Sequence, residues 1–153
     1  MASRTTARVI DKDRGYDRIL RKIAGLDKYS LEVGFFEGSG VSRDVIERAY
    51  RNEYGDGPPA RPFIAPTVDA NYRKYVRALA KRSFRFLVLR RGIKENLETV
   101  GNMIARDIER AIAEKSTPAN APATVARMVF NDPLFETGEM QDSVRVRIAR
   151  RKK

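Results

Sequence analysis

Carboxylate, lysine and hydroxyl side chains are the main groups available for catalysis in this chain of 153 residues, which contains neither histidine nor cysteine. Two carboxylate pairs, Glu136 with Glu139 and Asp132 with Asp142, could act as acid and base or bind a divalent cation. Nothing holds either pair on one face of a long element, so we interpret them as solvated or capping carboxylates. The missing imidazole and thiol groups remove the commonest general base, thiol nucleophiles and thiolate zinc sites. We therefore predict no enzyme, no metal and no cofactor.

A glycine-rich segment, Gly34–Gly40, lies between a predicted strand and a predicted helix, where phosphate-binding loops occur. The Lys-Ser or Lys-Thr pair that would reach phosphate and magnesium is missing from it. A turn that uses the tolerance of glycine for positive φ needs no further assumption, and we prefer it.

The net charge of +11 comes from 31 basic and 20 acidic residues that are unevenly distributed. Residues 1–72 are nearly neutral at +1, residues 73–94 carry +9, residues 95–143 carry −5, and residues 144–153 carry +6. The block 73–94 contains no acidic residue. An asymmetry of this kind indicates charged partners rather than a particular fold.

Within that block a basic stripe, Arg73, Arg77, Lys81 and Arg85, repeats every four residues and so lies on one side of a helix. Like charges at this spacing repel by a few tenths of a kcal/mol per pair. Three interpretations remain open: a solvated surface, a contact with an acidic protein surface, or a contact with nucleic-acid phosphate. No zinc-finger, RNP or helix-turn-helix pattern accompanies the stripe.

The hydrophobic pattern predicts an α+β fold, a small and mainly antiparallel sheet packed by helices. Alternating residues predict strands near 5–10, 29–36 and 143–149, the last with Arg145 and Arg147 on a basic face. Apolar residues at helical spacing predict two long helices, about 67–90 and 93–115, and shorter helices near 13–25 and 42–55. Gly101 indicates a close approach between helices. Residues 1–153 form one domain, and we expect residues 150–153 to be a flexible tail.

No stretch is apolar enough to span a membrane, and the first eight residues lack the apolar region of a secretory signal. A chain without cysteine and without such a signal fits assembly in a cytoplasm.

Several short motifs occur in a fixed order along most of the chain. They are Val33–Phe36, Asn52–Gly55, Pro59–Pro66, Asn120–Val125 and Pro133–Val144. In this order and spacing the chain resembles the tail-completion, or virion-morphogenesis, neck proteins of tailed bacteriophages.

The resemblance implies a structural virion protein at the head–tail junction or tail end, assembled in the bacterial cytoplasm. It implies a ring, of six or twelve subunits, that contacts adjacent neck and tail proteins and leaves room for DNA to pass without specific binding. The alternative is a basic nucleic-acid-binding module that uses the 73–94 helix.

The candidate contact residues combine the motif loop with the basic segments. They are Tyr54, Arg61, Phe63, Arg73, Arg77, Lys81, Arg85, Arg145 and Arg147. The prolines beside Arg61 hold the backbone extended, so its guanidinium could be presented to a neighbouring subunit. Alternatively, Phe63 and Tyr54 seal this loop onto their own domain.

Overall fold

The computed structural model describes residues 19–21, 23, 28–57, 59–89, 92–114 and 138–151, with the backbone only for 84–89. Its elements confirm the predicted α+β class. In chain order they are β1 (Tyr29–Gly34), α1 (Arg43–Tyr54), α2 (Ile64–Leu89), α3 (Ile93–Glu114), a 3-10 turn (Gln141–Ser143) and β2 (Arg145–Arg150). Residues 19–21 and 23 are helical, as predicted for that segment. The predicted strand near 5–10 lies outside the described residues.

Strands β1 and β2 form an antiparallel pair whose register runs from Tyr29 opposite Arg150 to Gly34 opposite Arg145. Residues directly opposite each other point to the same face. One face therefore carries apolar side chains from both strands, and this face packs on α3. The other face carries Glu32 and Arg147, which form a salt bridge with an N···O distance of 2.6 Å.

Helix α1 begins and ends at the residues that the sequence predicts. The Ser42 hydroxyl accepts a hydrogen bond from the Val45 amide at 3.4 Å, which satisfies a free donor of the first turn. Gly55 adopts a left-handed conformation with φ of 78° and donates its amide to the Arg51 carbonyl. That conformation favours glycine and ends the helix.

Helices α2 and α3 pack side by side in opposite directions. Near one end of the pair Lys74 contacts Asp107, and near the other the Asn96 side-chain amide donates to the Arg82 carbonyl at 3.4 Å. Helix α2 starts three residues before the predicted Thr67, with Pro66 in its first turn, where proline is tolerated.

The apolar residues of α2 are only partly buried. Tyr72 is 63% exposed and Val76 is 44% exposed, whereas Tyr75 is only 4% exposed. In the described part of the chain α2 packs mainly on α3, and the side of α2 that carries Tyr72 and Val76 is exposed.

The hydrophobic core surrounds the second half of α3. Its buried residues come from the segment before α1, from α1, from the loop before α2, from α3 and from the segment before β2: Val41, Val45, Ala49, Phe63, Ala105, Ile108, Ile112, Met140 and Val144. Burying a side chain such as Ile108 or Phe63 contributes about 1.5–3 kcal/mol each.

Gly101 is a point of close approach, but its neighbour is the sheet and not a second helix. A Cβ atom at this position would lie 2.8 Å from Leu31 Cδ1 and closer still to Val146 Cγ1. The prediction that a small residue is needed here is therefore consistent with the structure, but the predicted neighbour, a second helix, is wrong.

The prediction of a flexible tail at residues 150–153 is wrong for Arg150 and Arg151. Arg150 is the last residue of β2, and the amide of Arg151 donates to the Lys28 carbonyl at 3.0 Å. Residues 152 and 153 lie outside the described residues.

Gly101→Ala should lower the free energy of unfolding by about 1–3 kcal/mol, because the stiff Val146 side chain must move to admit a methyl group. The cost of displacing Val146 should outweigh the roughly 1 kcal/mol by which alanine stabilises a helix relative to glycine. Urea unfolding followed by circular dichroism measures it.

Asn102→Ala is the matched control, since Asn102 is the next residue of α3 and is exposed. Adding Val146→Ala to Gly101→Ala should recover part of the loss. A Gly101→Ala protein more stable than the natural chain would contradict close packing at this point.

Candidate interaction surface

The Glu53 carboxylate joins the end of α1 to the start of α2. It accepts hydrogen bonds from the amides of Phe63, Ile64 and Ala65, at 2.7, 3.0 and 2.9 Å. These amides lie at a helix start, where donors have no intrahelical acceptor and the helix dipole favours a negative charge. Glu53 is therefore a cap supplied from the preceding helix, and sequence reasoning missed it.

A second set of contacts holds the loop between α1 and α2, residues 55–63, against α1. The Arg61 amide donates to the Asn52 carbonyl at 2.6 Å, and the Arg61 guanidinium donates to Asn52 Oδ1 at 3.3 Å. The Asn52 side-chain amide in turn donates to the Arg48 carbonyl. Asn52 was also missed as a structural residue, although it precedes Glu53 in the same motif.

Arg61 does not present its guanidinium to solvent. The residue is 5% exposed, and desolvation by burial lowers the pKa of its guanidinium. The neighbouring prolines restrict the backbone but do not determine which side of the loop the side chain occupies. The expectation of an exposed Arg61 at a subunit contact is thus corrected: the side chain packs within its own subunit.

Phe63 is 1% exposed and packs edge-on against Phe35, with ring centroids 6.1 Å apart. It fills the core of its own domain, so this side chain cannot also enter a neighbour's pocket. For Arg61 and Phe63 the structure supports the alternative in which the loop seals onto its own domain.

Tyr54 behaves differently from these two residues. It is 71% exposed and lies against Tyr50, which is 56% exposed, with ring centroids 4.9 Å apart. The pair borders an open groove of about 270 Å³ that Phe35, Ile46 and Ile64 also line. Tyr54 thus remains a candidate contact.

The basic stripe of α2 is exposed at Arg73, Arg77 and Lys81. Within the described part of the chain, none of these three side chains forms a salt bridge, whereas their neighbour Lys74 is paired with Asp107. Arg85 belongs to the same helix, and its backbone alone is described. Arg73, Arg77 and Lys81 are therefore three cations that the described part of the chain does not neutralise through direct ion pairs.

A polar network fixes the opposite side of α2 to α3. Asp107 accepts from Lys74 Nζ at 2.6 Å and from the Tyr75 hydroxyl at 2.8 Å. Burial alone would raise the pKa of Asp107, but these hydrogen bonds and the charges of Lys74 and Arg110 together lower it. Burial, with the contact to Asp107, raises the pKa of Tyr75.

Arg145 and Arg147 lie on the outward face of β2 and have partners within the subunit. Arg147 donates to the Glu32 carboxylate and lies over the Phe36 ring, 4.3 Å from its centroid. Arg145 donates to the Val144 carbonyl at 3.1 Å. These two cations are therefore less available for a new partner than those of α2.

Of the four carboxylates considered for chemistry, Glu139 and Asp142 lie in the described part of the chain. Glu139 pairs with Arg48 at 2.6 Å, and Asp132 and Glu136 lie outside the described residues. Among the residues that are described, no group of three or more acidic side chains could hold a metal ion. In the same part of the chain, no helix has the length and hydropathy for crossing a membrane.

The glycine-rich segment forms a turn. Gly38 and Gly40 have φ angles of 76° and 81°, and the Ser39 hydroxyl donates to the Phe36 carbonyl at 2.6 Å. Positive φ is what the turn interpretation predicts for glycine at these positions.

Comparison with known proteins gives no match: no family model, no curated protein and no solved structure is significantly similar to this chain. The resemblance to neck proteins therefore depends on the motif residues themselves.

Glu53→Ala should lower the free energy of unfolding by about 1–2 kcal/mol, because three amides at the start of α2 lose a charged acceptor. Glu53→Gln, which keeps one acceptor oxygen but no charge, should lose less. Urea titrations at neutral pH measure both values. Glu98→Ala, an exposed glutamate of α3, is the control. Equal stability of the Glu53→Ala and Glu98→Ala proteins would contradict the capping role.

Asp107→Asn should lower the free energy of unfolding at pH 7 by about 1–2 kcal/mol. Because the pKa of Asp107 is lowered on folding, its contribution is present above the unfolded pKa of about 4 and disappears as the pH falls through the folded pKa. The difference from the natural chain should therefore shrink as the pH falls below the unfolded pKa of about 4. Urea unfolding at several pH values tests this, with Asp69→Asn on the exposed side of α2 as control. A difference that is independent of pH would contradict the assignment.

Proposed function

We propose that this chain is a structural protein of a tailed-phage virion, which completes the tail or joins it to the head at the neck. It acts as a ring of identical subunits, six or twelve in number, and contacts adjacent neck and tail proteins. It is not an enzyme and needs no cofactor. Assembly takes place in the cytoplasm of the bacterial host.

The observation that carries this proposal is the contact between three separate motif segments. Asn52 and Glu53, in one segment, bond to Arg61 and to the amides from Phe63 to Ala65 in the next. Phe35, in a third segment, packs on Phe63. Each of these residues thus has a physical role in one arrangement. The motif residues therefore contact one another in the folded chain, as members of one motif series should.

The surface properties also fit a protein whose work is contact with other proteins. Tyr50 and Tyr54 expose an aromatic pair at one end of α1, and α2 exposes a row of cations. Exposed aromatic residues and unneutralised charges of one sign are common at protein interfaces.

A basic nucleic-acid-binding module is the second candidate, and the exposed stripe of α2 favours it. Tyr72, which is 63% exposed, lies beside Arg73 and could stack on a base. If six basic side chains of the 73–94 block contacted phosphate, the affinity for duplex DNA would fall as the salt concentration rises, with a log–log slope of about −5. We prefer the virion role because nucleic-acid binding by α2 would leave the series of motifs unexplained.

Phage particles produced without this protein should accumulate as finished heads and unjoined tails. If a subunit needed for the junction is missing, heads and tails are each completed but cannot connect. Electron microscopy and sedimentation of lysates from a phage in which the gene carries an early stop codon measure this outcome.

Expression of the natural chain from a plasmid in the same host is the control and should restore joined virions. Normal virions without the protein would overturn the proposed function. Tight binding of purified protein to duplex DNA with the steep salt slope would favour the second candidate.

A further inference from the structure

The outer edge of β2 carries backbone groups that β1 does not bond. The Arg151 amide donates to the Lys28 carbonyl at 3.0 Å, so these residues form a hydrogen-bonded pair that continues the β1–β2 register. Hydrogen-bonded and non-hydrogen-bonded pairs alternate along two antiparallel strands. The residues of β2 that direct their N–H and C=O groups away from β1 are therefore Val146, Ile148 and Arg150. In the described part of the chain no hydrogen bond satisfies these groups.

A groove of about 680 Å³ runs beside this edge, between β2 and α3. On the helix side it is bordered by α3 from Lys94 to Glu109, about 22 Å at 1.5 Å per residue. On the sheet side Val144, Val146 and Ile148 line it, and among the described residues none of β1 does. The groove therefore lies on the side of β2 toward which the unbonded N–H and C=O groups point.

An extended segment is the ligand that this groove suits best. A free sheet edge binds a further strand through its backbone groups, and alternate side chains of that strand fill the space beside it. Val146 and Ile148 are half-buried, and a strand along the edge would cover them. Charged residues of both signs line the groove, namely Lys94, Glu98, Arg106, Glu109 and Arg145. Charge therefore selects no partner, and the backbone of β2 is the main recognition element.

The N-terminal segment of this chain, residues 5–10, matches the groove in length and composition. It lies outside the described residues, and its sequence predicts a strand. Four of its six residues are β-branched, namely Thr5, Thr6, Val9 and Ile10. A strand of six residues spans about 20 Å, close to the length of α3 that borders the groove.

The length of chain between this segment and β1 permits the pairing within one subunit. Residues 11–28 separate the two, and residues 19–21 and 23 among them are helical. A helical connection of a dozen or more residues is the usual link between parallel strands of one sheet. A segment that runs parallel to β1 is antiparallel to β2, because β1 and β2 are themselves antiparallel.

We propose that residues 5–10 bind as a third strand along the outer edge of β2, antiparallel to it, in the groove against α3 of the same subunit. The segment covers an edge that would otherwise be open to pairing with another chain. The pairing concerns one subunit alone and is independent of the proposed function.

Amide hydrogen exchange of the full-length protein, followed by nuclear magnetic resonance, tests the pairing. In the double-proline protein, Arg8→Pro with Val9→Pro, the segment loses at least one donor to β2, because adjacent residues of a strand direct their amides to opposite sides. The amides of Val146 and Ile148 should then exchange at least about tenfold faster than in the natural chain.

The amides of Arg147 and Ala149 are the internal reference, since they bond to β1. Their exchange should stay within about twofold of the natural chain, which also shows that the double-proline protein is folded. Ser3→Pro, which lies before the segment, is the matched control and should change none of these amides. In the natural chain, alternate amides of residues 5–10 should exchange slowly, because only every second residue of an edge strand faces its neighbour.

Three results would overturn the pairing. Fast exchange at Val146 and Ile148 in the natural chain, beside slow exchange at Arg147 and Ala149, would show that the edge is open. Unchanged slow exchange at Val146 and Ile148 in the double-proline protein would assign the groove to a different segment. Protection that falls as the natural chain is diluted would place the added strand in a second copy.

Discussion

The carboxylate of Glu53 is the interaction on which the arrangement of the helices depends. It lies one residue before the end of α1 and accepts three amides at the start of α2, so the two helices meet at a fixed point. Phe63, whose amide is one of these donors, enters the core beside α3. One glutamate thus connects α1, α2 and the core, which explains why the loop between them can be rich in proline and glycine and still be ordered.

In the described part of the chain, three sets of polar contacts hold α2. Glu53 fixes its start, Asp107 binds Lys74 and Tyr75 near its middle, and Asn96 binds the Arg82 carbonyl further along. These contacts leave Arg73, Arg77 and Lys81 exposed and without an ion-pair partner in the described part of the chain.

The sequence predicted the elements that local chemistry determines. Ser42 and Gly55 delimit α1 through contacts within a few residues, and the periodic apolar residues of α3 identify it as a core helix. The errors concern contacts across longer separations. Spacing could show that Gly101 must be small, but not that the sheet lies against it. Proline geometry could not show that Arg61 points inward, and the role of Glu53 depends on amides ten to twelve residues away.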